Sequence, residues 1–270
     1  MKVLISIDME GIAGLSNWKE NEKRITKFMT DEVDAVVAGI KDYDAAAKIL
    51  VCDSHSIGQN VEIFDLPEDV ELIRGYPRPY YMVSGFEEGF DAAIFLGYHA
   101  PVGIENAEMD HTYSSGSIFE TTVNGKKVGE AELNALVLGE IDIPVALIAG
   151  DDKLEAFSKN FFPNTNFVIT KRALGRFSAK LIHPKKVGRM LRENTKIALE
   201  NLDKIKPLKI KKPYEIRITF LYTVMAEFAS LIPASKRIDG RTVSFKHSDF
   251  REIYRFLMGA VTLAGVARNL

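Results

Sequence analysis

A short apolar run, Val3-Leu-Ile-Ser-Ile7, stops abruptly at Asp8-Met-Glu-Gly11. That junction constrains the chain more than any other stretch. An apolar, β-branched run of this length predicts a strand buried on both faces, of the kind found in sheets covered by helices. Along an extended chain successive side chains alternate, so Asp8 and Glu10 are expected to share a face. Two carboxylates held together repel each other unless a cation neutralises them. The end of the first strand is therefore either a solvated loop or part of a cation site.

The same pattern recurs. Ile49 to Cys52 is a second apolar run, closed by Asp53-Ser-His-Ser56, and Ala92 to Leu96 is another, closed by Gly97-Tyr-His99. Val70 to Ile73 predicts a short strand, and Pro144 to Ala149 a buried one ending at Gly150-Asp-Asp152. Asn124-Gly125 marks a hairpin turn between Phe119 to Val123 and Lys127-Val128. Between these runs, Thr30 with Asp31 and Glu32 signals a helix start, continued by Val33, Val36, Val37 and Ile40 at helical spacing. Tyr81 to Phe90 and Glu130 to Glu140 also read as helices. The alternation predicts an α/β fold, a largely parallel sheet flanked by helices.

After Pro184 the character changes. Pro184 to Asn201 is a polar amphipathic helix, and Lys204 to Pro213 is a Pro- and Lys-rich linker or edge segment. Beyond it come a strand (Glu215 to Leu221), a helix (Thr223 to Leu231), a strand (Thr242 to Phe245) and a closing helix (Phe250 to Val266). The expected organisation is an α/β domain over residues 1–204, which contains these strand ends, and a smaller C-terminal α+β domain over 205–270.

Composition excludes several classes of partner. A formal net charge of −2 offers no attraction to nucleic acid or an anionic membrane. No apolar run approaches the roughly 20 residues of a membrane span. The N-terminal apolar run is too short for a signal-peptide core, and Asp8 interrupts it. The single cysteine, Cys52, lies inside a strand pattern and reads as an inert buried thiol in a reducing compartment. A cytoplasmic protein is expected. Gly11-Ile-Ala-Gly14 lacks both the dinucleotide fingerprint and the phosphate-loop ending.

In open α/β sheets ligands bind beyond the carboxyl ends of the strands. Asp8, Glu10, His55 and His99 all follow strand-like runs, and Glu130 opens a helix that can reach the same edge. An aspartate bridging two metals, with carboxylate and imidazole completing each, suits a pair of zinc ions about 3.5–4 Å apart. Each residue also has an ordinary reading: a solvated loop for Asp8 and Glu10, a turn residue for His55, a core histidine for His99, a helix-dipole acid for Glu130. Their joint placement favours the metal. His111 lies in a long polar loop without strand pattern, a place for a catalytic group rather than a ligand. His183 and His247 read as bystanders.

These residues carry a resemblance. Ser6-Ile-Asp-Met-Glu-Gly11, Asp53-Ser-His-Ser56, Leu96-Gly-Tyr-His-Ala100, Val128-Gly-Glu130 with Leu133-Asn134, and Ala149-Gly-Asp-Asp152 resemble, in order, the motifs of the zinc-dependent D-aminopeptidases of bacterial dipeptide-transport operons. The resemblance implies a two-domain α/β subunit with two zinc ions per chain, bound by Asp8, Glu10, His55, His99 and Glu130. Asp8 would bridge, Glu10 and His99 completing one site and His55 and Glu130 the other. It implies a catalytic role for the residue at His111, proposed in the family as a nucleophile. Zinc can already supply hydroxide near neutral pH, so we assign His111 as general acid/base. It also implies a decameric ring with an enclosed chamber.

The expected function is a dizinc aminopeptidase acting on short peptides or amino-acid amides, a D-residue at the amino end being what the resemblance adds. The alternatives are a dimetal phosphoesterase, which would need basic groups beside these motifs, and a metal-stabilised binding or assembly protein without turnover. Phe161-Phe162-Pro163, Pro79-Tyr80-Tyr81 and the closing helix through Phe256, Leu257 and Val261 are candidate surfaces for a homo-oligomer.

Overall fold

The computed structural model describes residues 1–268. The chain runs β1 (Lys2–Ile7), α1 (Glu22–Tyr43), β2 (Lys48–Asp53), β3 (Val70–Ile73), β4 (Ala92–Tyr98), β5 (Ile118–Val123), β6 (Lys126–Lys127), α2 (Glu130–Gly139), β7 (Val145–Asp151), α3 (Asp152–Ser158), β8 (Asn166–Gly175), β9 (Ser178–Leu181), α4 (Pro184–Glu200), β10 (Tyr214–Phe220), α5 (Thr223–Ala229), β11 (Lys236–Arg237), β12 (Thr242–His247) and α6 (Phe250–Ala267). Seven strands form one sheet in the order β3-β2-β1-β4-β7-β8-β9, parallel throughout except for the β8–β9 hairpin. A second, antiparallel sheet has the order β11-β12-β10-β5-β6. The expected α/β class, with a smaller α+β part towards the C-terminus, is what forms.

Alternation along β1 divides the core. Val3, Ile5 and Ile7 face α1 and α4, whereas Leu4 faces α2, the second sheet and α6. Both faces are covered, which is why β1, β4 and β7 tolerate no exposed position. The second sheet takes its hairpin β5–β6 from the middle of the chain. The Lys- and Pro-rich segment before β10 straps back over α2, where Lys209 pairs with Asp142 (2.5 Å) and Lys212 with Glu140 (2.9 Å).

Local readings were corrected in four places. Helix α1 begins two turns before Thr30: Asn21 caps it by accepting from Lys23 N, and Thr30 sits inside, its hydroxyl donating to Thr26 O. The first turns are mostly polar, so apolar periodicity does not reveal them. Residues 81–90 form two short 3₁₀ turns, Tyr81–Val83 and Phe86–Glu88, separated by Gly85 at φ +92°. Residues 152–181, for which the pattern suggested no element, supply α3, β8 and β9. The proposed contact aromatics belong to the subunit core: Tyr80, Phe162, Phe256 and Leu257 are buried, and Tyr81, Phe161 and Val261 pack against them. The exposed large apolar side chains are elsewhere, among them Phe64, Leu174, Tyr222 and Leu231.

Candidate metal centre

Strands β2, β1 and β4 lie side by side, with Ile7 in register with Asp53 on one side and Leu96 on the other. The chain adds β2 and β3 on one side of β1 and then crosses to β4, so this edge is a topological switch point where α/β sheets bind ligands. Asp8, His55 and His99 each lie just beyond one of these three strands.

Asp8 and Glu10 converge for a reason other than strand alternation. β1 ends at Ile7, and the backbone turns: Gly11 N donates to Gly97 O (2.6 Å) and Ile12 N to Met9 O (3.0 Å). Glycine is required on both sides of this crossing. A Cβ on Gly11 would lie 2.0 Å from Tyr98 O, and one on Gly97, whose φ is +66°, 2.0 Å from Asp8 O.

His55 is presented by a loop folded around Asp53. That carboxylate accepts from Asn60 N (2.5 Å), Asn60 Nδ2 (2.9 Å) and Val61 N (2.8 Å), and Asn60 Nδ2 also reaches His55 O (2.8 Å). Asp53 is thus a loop organiser. Glu130 is the first residue of α2, and its Oε1 accepts from Tyr113 N at 2.6 Å. The loop bearing His111 holds three non-glycine residues at positive φ, Asn106, Met109 and Tyr113 (+56°, +43° and +57°). Such strain clusters where side chains must be aimed.

All six predicted residues come together. His55 Nδ1 is 3.2 Å from Asp8 Oδ1 and 3.3 Å from Glu10 Oε2. His99 Nε2 is 3.5 Å from Asp8 Oδ2 and 3.5 Å from Glu130 Oε1. The two oxygens of Asp8 therefore face different imidazoles. His111 stacks on His99 with ring centroids 4.3 Å apart and planes 4° from parallel, and its Nε2 lies 3.7 Å from Glu130 Oε1 and 4.0 Å from Glu10 Oε1. Donor atoms of Asp8, Glu10 and His99 lie within 4.8 Å of one another, as do those of His99, His111 and Glu130. His111 is thus as close to the cluster as its other members are. His183 and His247 lie outside it, as expected.

The charges respond to this crowding. Burial, reinforced by neighbouring Glu10, pushes the Asp8 carboxyl up. Burial also opposes ionisation of Glu10, but His55 beside it outweighs this and holds Glu10 well below the usual carboxylate range. Glu130 is likewise lowered, His99 prevailing over burial. His55 and His99 are raised well above an ordinary imidazole: burial disfavours their charge, yet Glu10 and Glu130 respectively more than compensate. A pocket with this excess of carboxylate favours a divalent cation for the same reason.

The donor set fits zinc. His99 Nδ1 donates to Ala100 O at 2.9 Å, leaving Nε2 buried without a hydrogen-bond partner; Glu10 Oε2 is buried and unpartnered as well. A ligand imidazole anchored through its other nitrogen is the arrangement metal sites use. Imidazole mixed with carboxylate, without thiolate, matches zinc chemistry. Cys52 is buried in β2 with its thiol pushed up by burial, and it takes no part.

Sequence reasoning missed several residues around the centre. Lys171 on β8 is fully buried; its Nζ donates to Glu10 O (2.6 Å) and Leu15 O (2.5 Å) and lies 2.7 Å from Glu108 Oε2. One ammonium thus ties the Asp8–Glu10 turn to the loop of His111. No local signal marks it, because the pattern over residues 152–181 suggests no element and a lysine there reads as solvated. Trp18 Nε1 donates to Glu10 Oε1. Behind the site, Ser6, Ser54, Tyr98 and Asn134 form a buried hydrogen-bonded chain. The centre opens into a cavity of about 350 Å³ lined by Asp8, Glu10, Trp18, His55, His111 and Glu130, among others.

The chain is similar to known proteins along almost its whole length. Residues 1–259 match the D-aminopeptidase (peptidase M55) family. A curated D-aminopeptidase of Bacillus subtilis (strain 168) is 35% identical over 271 residues, 98% of each chain. The solved structure of the Zn-dependent D-aminopeptidase DppA from Bacillus subtilis, described as a self-compartmentalizing protease, superposes with a TM-score of 0.93 at 35% identity, covering 98% of both chains. With its motifs in order along almost its whole length and its fold shared, this chain belongs to the D-aminopeptidase family.

Proposed function

We propose that the protein is a dizinc aminopeptidase that hydrolyses short peptides or amino-acid amides with a D-residue at the amino end. The observation that carries this reading is the pair of buried, unpartnered ligand atoms, His99 Nε2 and Glu10 Oε2, set among three carboxylates in a chain of this family. Asp8, Glu10, His55, His99 and Glu130 would hold the metals, the two oxygens of Asp8 facing different imidazoles. Bound zinc supplies Lewis acidity at the scissile carbonyl and lowers the pKa of its water to about 7.

The chain's own residues supply the rest. His111 Nδ1 donates to Met109 O at 3.0 Å, which leaves Nε2 free to exchange a proton in the cavity as general acid/base. Trp18, Tyr81 and Tyr113 narrow the cavity around it. Its size suits a short peptide rather than a folded chain. A phosphoesterase is disfavoured because, among the described residues, Arg268 is the only Lys or Arg lining this cavity. The same reading includes a homo-oligomer, with the decameric ring of the family as its expected form, and a cytoplasmic location. Among the described residues no helix is long and apolar enough to cross a membrane.

The test is hydrolysis of D-alanyl and L-alanyl p-nitroanilides and of p-nitrophenyl phosphate by zinc-loaded protein, with metal analysis alongside. Turnover of the D-alanyl substrate by protein holding two zinc ions is expected. Phosphatase activity, or metal binding without peptidase turnover, would refute the assignment.

A further inference from the structure

Trp18, the single tryptophan of the chain, touches the metal centre directly. It lies between β1 and α1, and its Nε1 donates to Glu10 Oε1 at 2.5 Å. Its ring meets His111 edge-on, with centroids 5.5 Å apart at 90°. Phe177 packs against it at 5.5 Å, and the Arg176 guanidinium sits 5.7 Å from the indole. Arg176 and Phe177 form the β8–β9 turn, and Arg176 O accepts from Met109 N (2.7 Å), so the support behind Trp18 is joined to the His111 loop.

An indole N–H only donates, so Trp18 cannot be a ligand. It can settle which oxygen of Glu10 is one. Oε1 is occupied by the indole; Oε2 is buried and has no hydrogen-bond partner. The same ring restrains the imidazole of His111, which is otherwise held by its stacking on His99 and its bond to Met109.

We propose that Trp18 is a positioning residue of the metal centre, its N–H clamping Glu10 so that Oε2 ligates and its edge holding His111 against His99. This rests on the dizinc reading above. Loss of a hydrogen bond that orients a ligand typically costs about 10–100-fold in metal affinity. The lone tryptophan also becomes a built-in reporter of occupancy.

The experiment uses full-length protein stripped with a chelator and titrated with Zn²⁺ and with Co²⁺. Tryptophan fluorescence is followed, and zinc affinity is measured by competition with a chromophoric chelator for the wild type and for Trp18→Phe, which keeps an aromatic edge but removes the N–H. We expect fluorescence to change with zinc and to be quenched by cobalt, saturating with metal uptake. Trp18→Phe should bind zinc about 10–100-fold more weakly while keeping its melting temperature. Wild-type fluorescence that ignores bound metal, or Trp18→Phe binding zinc as tightly as wild type, overturns the role of Trp18 and leaves the dizinc reading standing. A wild type that takes up no zinc overturns both.

Discussion

Single substitutions should separate the residues that hold metal from the one that moves a proton. Among the described residues, only Asp8 sets one oxygen towards His55 and the other towards His99, so Asp8→Ala should lose more zinc than any other ligand change. His111 is anchored by its own loop, so His111→Ala should keep its zinc yet lose on the order of 10²–10⁴ in kcat. Zinc content measured beside kcat checks both; zinc lost in step with activity in His111→Ala would make His111 a ligand. Away from the metal, Glu32 is a second buried carboxylate with a measurable consequence. Its Oε1 accepts from Ala13 N at 2.7 Å, Oε2 has no partner, and burial raises it from an ordinary 4.5 to about 7. A carboxyl raised on folding binds more protons folded than unfolded, so stability is greatest below about 4.5 and is lost as pH rises to about 7. The loss is of order 3 kcal/mol. Glu32→Gln removes that slope. Urea unfolding at about pH 5 and about pH 8 should show the variant gaining on wild type by roughly this amount between the two; parallel pH profiles would show that Glu32 is ionised in the fold.

At the scale of elements, the site depends on how three strand ends are joined. The turn after β1 crosses the end of β4 at backbone contact, which only glycine at 11 and 97 allows. Gly97→Ala places a Cβ against Asp8 O at a positive φ, so it should destabilise the protein by about 1–3 kcal/mol from backbone strain alone. It should also displace Asp8 and with it zinc. Thermal melting with metal analysis reads both, and an unchanged melting point with full zinc would mean the crossing is not needed. The β8–β9 hairpin has a matching role. It carries Lys171 against the Asp8–Glu10 turn and Arg176 and Phe177 against Trp18.

For the whole molecule, an open metal site in a peptidase calls for restricted access. The apolar groups available for assembly are those the subunit leaves exposed, such as Phe64, Leu174, Tyr222 and Leu231, because Tyr80, Phe162, Phe256 and Leu257 are buried in the core. We predict a homo-oligomer larger than a dimer that cleaves short peptides and spares folded proteins. Light scattering at micromolar concentration checks the mass, and a fully active monomer would defeat the compartment while leaving the metal chemistry intact.

The positions of the candidate ligands were legible in the chain itself. Apolar runs that end on Asp8, His55 and His99 encode buried strands, and a buried strand end beside a carboxylate is readable from local pattern alone. Glu130 at the start of α2 and the Asn124-Gly125 hairpin were readable for the same reason. Periodicity records which face of an element is buried; it does not record what lies opposite. The side-by-side order β2-β1-β4, the turn that makes Asp8 and Glu10 converge, and the contacts of Trp18 and Lys171 with Glu10 join residues far apart in sequence or placed by irregular backbone. Such contacts arise only when packing brings separate segments together, and a lysine that looks solvated in the sequence becomes the buried tie between the Asp8–Glu10 turn and the loop of His111.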